Sequence, residues 1–209
     1  MKIENKELIE KYPFLQPRNV WTDEIPADYD YNYCLLKDEI PPGWWERFGI
    51  AYCEDLKEVL EKYNYLNEFR FVQCKEKYGG LRAYNNEAPE EWNAHEHAWE
   101  YISEHTCVKC GEFPVPMRFY WWISPYCDYH AFELSAGNKK EIDVVTEKNW
   151  DGRLDEYLVI SRYSKECDNE EWIDMKPFYD KIGWKYTNKD LILKDEIKEI
   201  IENRKRKNK

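Results

Sequence analysis

The sequence lacks several features that assign a chain to a familiar class of protein. It has no apolar run long enough to span a bilayer, and its first residues, from Met1 to Asn5, lack the apolar core of a secretion signal. It contains no P-loop, dinucleotide-binding fingerprint, G-x-S-x-G nucleophile motif or H-E-x-x-H zinc motif. We therefore expect a cytoplasmic protein that contacts no membrane, and no catalytic motif identifies it as an enzyme.

Positive charge is also scarce. The 31 Lys and Arg residues are outnumbered by 42 Asp and Glu residues, which gives a formal net charge of -11. An acidic chain repels nucleic-acid phosphates on average, so non-specific binding of nucleic acid is disfavoured, although a local basic patch can still bind. Aromatic residues make up 17% of the chain, a content that excludes disorder, and 209 residues suffice for a real core.

Three of the seven cysteines join a histidine in the strongest chemical signal of the chain. These residues are spaced as C-x-x-C, sixteen further residues and C-x-x-H: Cys107, Cys110, Cys127 and His130. Two close pairs of soft ligands at this spacing predict a tetrahedral zinc site, against the alternative of four unrelated residues in a reduced interior. Because protein fills all four positions, we expect structural Zn2+, since a catalytic zinc keeps one position open for water. The remaining cysteines are expected to be buried apolar residues or free thiols: Cys34, Cys53, Cys74 and Cys167.

The elements around these ligands predict the order of a treble-clef finger. Gly111 suits a tight turn after the first pair, and the apolar run from Met117 to Ile123 predicts a strand or hairpin. Residues 126–135 have helical composition, with Gly137 as the expected C-cap. The finger differs from the common DNA-reading type, whose second pair is H-x₃₋₅-H.

The rest of the chain predicts an α+β fold of small antiparallel β-hairpins packed on amphipathic helices. Residues 1–43 are expected to form an irregular N-terminal arm after a helix at 5–12, with alternating tyrosines at 29, 31 and 33 as a short strand segment. Residues 44–137 are expected to form one module, and 138–209 a C-terminal α/β extension with a basic tail from Arg204.

Within the module, periodicity predicts two helices and a hairpin between them. An apolar stripe predicts the first helix, and the second runs over 89–105 to the metal ligands. The hairpin covers 69–84 and turns at Gly79 and Gly80. In the extension we expect a hairpin of 141–146 with 156–163 and helices over 172–182 and 190–203. The stripe comprises Trp45, Phe48, Tyr52, Leu56, Val59 and Tyr63.

Lys75, Lys77 and Arg82 flank the predicted turn and form a candidate binding site. A basic hairpin with tyrosines nearby can hold a phosphate or stack a base, and the alternative is a solvated hairpin. His95 and His97 suggest a second metal site, but residues two apart on a helix do not face each other, so a packed, hydrogen-bonded His95 is the simpler interpretation. The carboxylates of residues 87–104 either imitate a nucleic-acid backbone or form a solvated helix face.

An ordered set of motifs over about residues 44–134 resembles a family of bacterial and phage hypothetical proteins. The family carries a hairpin of the form Q-V-K-E-K-F-G-G-L-R-F-Y, a helix that ends in S-x-x-T-C-x-x-C-G, and a later W followed by C-x-x-C/H. This chain matches it from Gln73 to Tyr84, from Ser103 to Gly111, at Trp122, and from Cys127 to His130. It departs from it at Cys74, Tyr78 and Ala83. The resemblance implies one folding module and a phage or mobile-element setting, and it implies no activity.

These observations lead to three hypotheses about function. The first is a non-enzymatic, zinc-containing protein that binds another protein, such as an inhibitor or modulator of a host protein. The second is a nucleic-acid-binding module that uses the basic hairpin and tail. The third is a zinc-dependent enzyme that acts on nucleic acid or nucleotides. The sequence gives no indication of the oligomeric state.

Overall fold

A computed structural model of the chain describes residues 4–19, 21–120, 122–135, 137, 150–160, 171–195 and 197–199. The described residues combine helices with small sheets, and three of the four strand pairs are antiparallel, so the predicted α+β class is confirmed. The chain divides into two compact units, Met1–Glu147 and Lys148–Lys209. Within the described ranges, no helix combines the length and the apolarity needed to cross a membrane.

The first unit contains five α-helices and two β-hairpins in its described residues. The chain first forms α1 and a short 3₁₀-helix, Pro13–Leu15. A π-helical turn, Trp45–Gly49, joins α2 to α3. The helices are α1 Asn5–Lys11, α2 Pro42–Trp44, α3 Ile50–Lys62, α4 Glu90–Glu104 and α5 Asp128–Leu134, and the strands are β1 Phe71–Lys77, β2 Gly80–Asn85, β3 Met117–Tyr120 and β4 Trp122–Pro125.

The core of this unit is aromatic. The Phe48 and Trp99 rings stack with centroids 5.9 Å apart, and Trp92 meets Tyr52 edge-on at 5.4 Å. The apolar stripe predicted for the first helix of the module is buried from Phe48 to Val59, as expected, but the prediction is wrong at both of its ends. Trp44, not Trp45, is fully buried, and Tyr63 exposes 48% of its surface. The π-helical turn adds a residue to one turn, so the 3.6-residue periodicity on its N-terminal side is displaced by one position.

The predicted N-terminal arm contributes to the same core. Between the 3₁₀-helix and α2 the described residues form only turns, bends and irregular chain, so the predicted strand around Tyr31 is wrong. Phe14 is fully buried, and its ring packs edge-on against the rings of Phe69 and Phe71. Leu36 is also fully buried. The burial of these side chains ties the irregular segment to the first hairpin.

The first hairpin lies where the sequence predicts it, with its turn one residue earlier. Lys77 pairs with Gly80, so the turn residues are Tyr78 and Gly79. Both have positive φ, 55° and 83°, as a two-residue type I′ turn requires. Gly80 is the first residue of β2, so the predicted Gly79–Gly80 turn is corrected by one position.

The second unit contains two strand pairs, one helix and further helical residues at 195 and 197–199 in its described part. β5 Leu154–Asp155 pairs in parallel with β8 Leu191–Ile192, and β6 Tyr157–Ile160 pairs antiparallel with β7 Glu171–Asp174. The helix is α6, Lys176–Lys181. The helix predicted over 172–182 is therefore wrong in its first turn, which belongs to β7. The predicted helix at 190–203 begins late, because its first residues belong to β8. Residues 141–146 and the basic tail lie outside the described residues.

Candidate metal centre

The four predicted ligands meet at one point of the first unit. Their ligand atoms all lie within 4.8 Å of one another, so the cluster can hold a metal ion. His130 Nδ1 lies 3.5 Å from Cys107 Sγ and 3.1 Å from Cys127 Sγ, and the sulfurs of Cys110 and Cys127 are 3.8 Å apart. In a tetrahedron with Zn–S near 2.3 Å and Zn–N near 2.0 Å, neighbouring ligand atoms are about 3.5 to 3.8 Å apart. The Cys107–His130 and Cys110–Cys127 spacings match that tetrahedron, and the Cys127–His130 spacing is shorter.

The first ligand pair is carried by a tight backbone turn. The Gly111 N–H donates to the Cys107 carbonyl at 3.0 Å, and Gly111 adopts a φ of 73°, a conformation that favours glycine. Burial acts to raise the pKa of Cys107, but backbone N–H groups of Cys127, Cys110 and Lys109 outweigh it, so that pKa is lowered. A lowered thiol pKa favours the thiolate, which is the form that binds metal. Burial raises the pKa of Cys110 and raises that of Cys127 to about 12, so only the Cys107 thiolate is favoured by the protein groups alone.

The second ligand pair is held by the second hairpin and the start of α5. Cys127 directly precedes α5, and His130 lies in the first turn of α5, so both side chains face the backbone turn at Cys107–Gly111. Arg118 on β3 is buried, with 4% of its surface exposed. Its Nε donates to the Tyr126 carbonyl at 2.8 Å, and its guanidinium also pairs with the Asp128 carboxylate. Arg118 therefore fixes the residues on either side of Cys127, a role that no sequence pattern indicates.

The backbone turn at Cys107–Gly111 is also held by residues 43–47, which lie in α2 and the π-helical turn. The Gly43 N–H donates to the Val108 carbonyl at 3.0 Å, and Trp44 Nε1 donates to the Thr106 carbonyl at 2.8 Å. Arg47 Nε donates to the Gly111 carbonyl at 2.6 Å. No sequence pattern predicts these contacts, because periodicity indicates a helix here but not what its first residues touch.

Protein side chains supply all four ligands of the candidate site, and the site is only partly buried from solvent. Cys107 and Cys127 are buried, His130 is half-buried and Cys110 is exposed. Within the described part of the chain, this is the only group of three or more His, Cys, Asp or Glu side chains arranged to hold an ion.

The histidine pair suggested as a second metal site has another arrangement. His95 Nδ1 lies 2.8 Å from Asp55 Oδ2, as expected for a packed, hydrogen-bonded histidine. Trp99 Nε1 donates to the same oxygen at 2.7 Å. Asp55 exposes only 1% of its surface, and its carboxylate joins α3 to α4. No sequence pattern marks Asp55 as a core residue.

The structure places the three predicted binding residues on one hairpin and gives each head group a partner. Arg82 pairs with Glu100 of α4 at 2.5 Å. The ammonium groups of Lys75 and Lys77 lie 5.0 Å and 5.5 Å from the ring centroids of Tyr84 and Tyr78. Lys75 and Arg82 are opposite each other in the strand register, but their charges are engaged separately.

Comparison of the chain with protein-family models, with curated proteins and with solved structures gives no significant match. The resemblance to a bacterial and phage family therefore stays a prediction.

Proposed function

We propose that this chain is a non-enzymatic binding protein whose central module is held together by structural Zn2+ and which acts on another protein. The observation that carries the proposal is the closed set of ligands at Cys107, Cys110, Cys127 and His130. Three thiolates and an imidazole in a tetrahedron suit zinc better than harder cations such as Mg2+ or Ca2+.

The order of the elements supports a treble-clef-like finger. A knuckle carries the first ligand pair, the β3–β4 hairpin follows, and the second pair lies at the start of α5. With four protein ligands the ion has no open position for water, so it supplies folding free energy rather than Lewis-acid chemistry.

A protein partner is supported by the surface. The chain carries a formal net charge of -11, and several large aromatic side chains of the described residues are exposed. Aromatic side chains are enriched at the centres of protein interfaces. In the phage or mobile-element setting that the sequence resemblance implies, an inhibitor or modulator of a host protein fits these properties.

Metal analysis tests the structural role of the ion. Untagged protein is expected to contain one zinc per chain by mass spectrometry, and Cys107→Ser is expected to lose both the metal and the fold. Cys53→Ser is the matched control, because Cys53 is buried in the same unit and is not among the ligands. Properly folded protein without zinc would contradict the proposal. A host-lysate pull-down that returns no specific protein would count against the partner.

Nucleic-acid binding is a second candidate, favoured by one observation. Tyr78 and Trp122 stack at 5.6 Å with an interplanar angle of 16°, and they expose 61% and 50% of their surfaces. Exposed rings beside lysines can stack the bases of a single strand. This function predicts salt-dependent binding of an oligonucleotide that falls for Lys77→Ala and Trp122→Ala. The absence of binding at low salt would exclude it.

A further inference from the structure

The stretch from Trp21 to Tyr33, called the Trp21 segment below, exposes large apolar side chains to solvent. Residues 21–28 are all exposed. Trp21 exposes 94% of its surface, more than any other large apolar side chain of the described residues, and Ile25 exposes 45%. An indole left in water forfeits the hydrophobic free energy that burial would supply, and Trp is the residue type most enriched among the dominant contacts of interfaces.

The Trp21 segment is also acidic throughout. From Asn19 to Leu36 the chain has four carboxylates and no Lys or Arg. Such a segment repels nucleic acid and acidic surfaces and attracts basic ones, which raises association rates and selects partners. The four carboxylates are Asp23, Glu24, Asp28 and Asp30.

The turn that presents Trp21 is fixed by its own hydrogen bonds. Asn19 Oδ1 accepts from the backbone N–H groups of Trp21 and Thr22 at 2.9 Å and 3.1 Å. The Asn19 N–H donates to the Glu24 carbonyl at 2.9 Å, which closes the turn. A turn that is already ordered loses little entropy on binding.

Two arginines attach this turn to the body of the first unit. Arg18 Nη1 donates to the Asp23 carbonyl at 2.9 Å, and Arg70 Nε lies 3.7 Å from Asp23 Oδ1. Arg70 precedes β1, so the turn is held at the hairpin rather than free in solvent.

We propose that the Trp21 segment is a docking surface for a protein partner that offers an apolar pocket rimmed by Lys and Arg side chains. This inference rests on the proposed function, because it specifies the class of partner. Trp21 fills the pocket, and Asp28 and Asp30 pair with the basic rim. The charge of the segment, which carries four carboxylates and no Lys or Arg, favours this partner over nucleic acid.

A displayed library of disulfide-constrained random peptides, selected on the zinc-loaded full-length chain, tests the proposal. The selected peptides are expected to combine Lys and Arg with large apolar residues. Their affinity is expected to fall at least about tenfold for Trp21→Ala, as for a central interface residue. It should stay unchanged for Phe119→Ala, the control, which removes another exposed aromatic ring. Thermal unfolding should be the same for both variants and the parent, since Trp21 and Phe119 expose 94% and 59% of their surfaces.

The acidic component is tested separately by charge. Asp28→Asn combined with Asp30→Asn is expected to weaken peptide binding at low salt and to reduce its salt dependence. Glu61→Gln combined with Glu87→Gln removes two exposed charges elsewhere in the first unit and should leave binding unchanged. Peptides that keep their affinity for Trp21→Ala, peptides without basic residues, or a failed selection would each overturn the docking surface. The proposed function fails instead on zinc content, so the two failures are distinguishable.

Discussion

Gly43 and Cys107 approach so closely that no side chain fits between them: a Cβ on Gly43 would stand 2.2 Å from the Cys107 carbonyl oxygen. The same Cβ would stand 2.6 Å from the Gly111 nitrogen and 2.8 Å from the Cys110 nitrogen. All three atoms belong to the backbone of the turn that carries the first ligand pair. That turn cannot yield without moving its sulfurs, so the start of α2 acts as a template for the metal site.

Gly43→Ala is expected to lower the free energy of unfolding of the zinc-loaded protein by about 1–3 kcal/mol, because a methyl group forced into a close-packed site displaces backbone. Denaturant unfolding measures this, and zinc content at limiting metal measures the accompanying loss of affinity. Gly80→Ala is the control. Its Cβ would meet Arg82 Nη1 at 2.8 Å and Glu104 Oε1 at 3.1 Å, which are the ends of flexible side chains. Equal stability of the two variants would contradict the template role of Gly43.

Arg118→Met is expected to weaken zinc binding by roughly 10- to 100-fold, because groups that orient metal ligands matter nearly as much as the ligands. The variant leaves the Tyr126 carbonyl without its arginine donor next to Cys127. Competition with a chromophoric chelator measures the affinity. Asp128→Asn removes the other partner of Arg118, but the Asp128 side chain is 97% exposed, so its loss should change affinity little. If both variants bind zinc like the parent, the hairpin does not position the second ligand pair.

The cluster of three cysteines and a histidine and the first hairpin were predictable because their signals are local. The C-x-x-C and C-x-x-H spacings bring each pair together within one turn, and turn residues mark the hairpin to within one position. The error at the turn arose because sequence favours two glycines, whereas the type I′ geometry accepts Tyr78 at its first position. The stripe was predicted to begin at Trp45 instead of the buried Trp44 because periodicity assumes a regular helix, and the π-helical turn breaks that regularity.

Asp55 and Arg118 could not be found from sequence patterns. Charged residues are normally exposed, so a pattern of apolar positions assigns both to the surface. Their burial depends on partners brought by the fold. His95 and Trp99 are 40 and 44 residues away from Asp55 in the chain. Contacts between residues so far apart in the chain leave no periodic pattern in the sequence, so periodicity cannot predict them.

Asp55→Ala is expected to lower the free energy of unfolding by about 2–5 kcal/mol, because it leaves the donors of His95 and Trp99 without this acceptor in the core. Trp99→Phe keeps a ring and removes one donor, so a smaller loss of about 1–2 kcal/mol is expected. Urea unfolding at neutral pH measures both. If Asp55→Ala does not fold, Asp55→Asn, which keeps an acceptor, supplies the comparison. A loss below about 1 kcal/mol for Asp55→Ala would mean that the carboxylate does not join α3 to α4 energetically.

Glu96→Gln is expected to stabilise the protein at alkaline pH relative to the parent. Burial and the neighbouring Glu100 carboxylate, opposed by Arg82, raise the pKa of Glu96 from 4.5 to about 7. Between those values the folded state binds more protons than the unfolded state, so this group's contribution to stability falls as pH rises and is fully present only below pH 4.5. Partial exposure reduces the effect.

From pH 6 to pH 8 the parent should therefore lose about 1 kcal/mol relative to Glu96→Gln. Unfolding free energies of both proteins across this range measure the difference, and exposed Glu87→Gln should instead follow the parent. Parallel curves for the parent and Glu96→Gln would mean that the Glu96 carboxylate is solvated in the folded state.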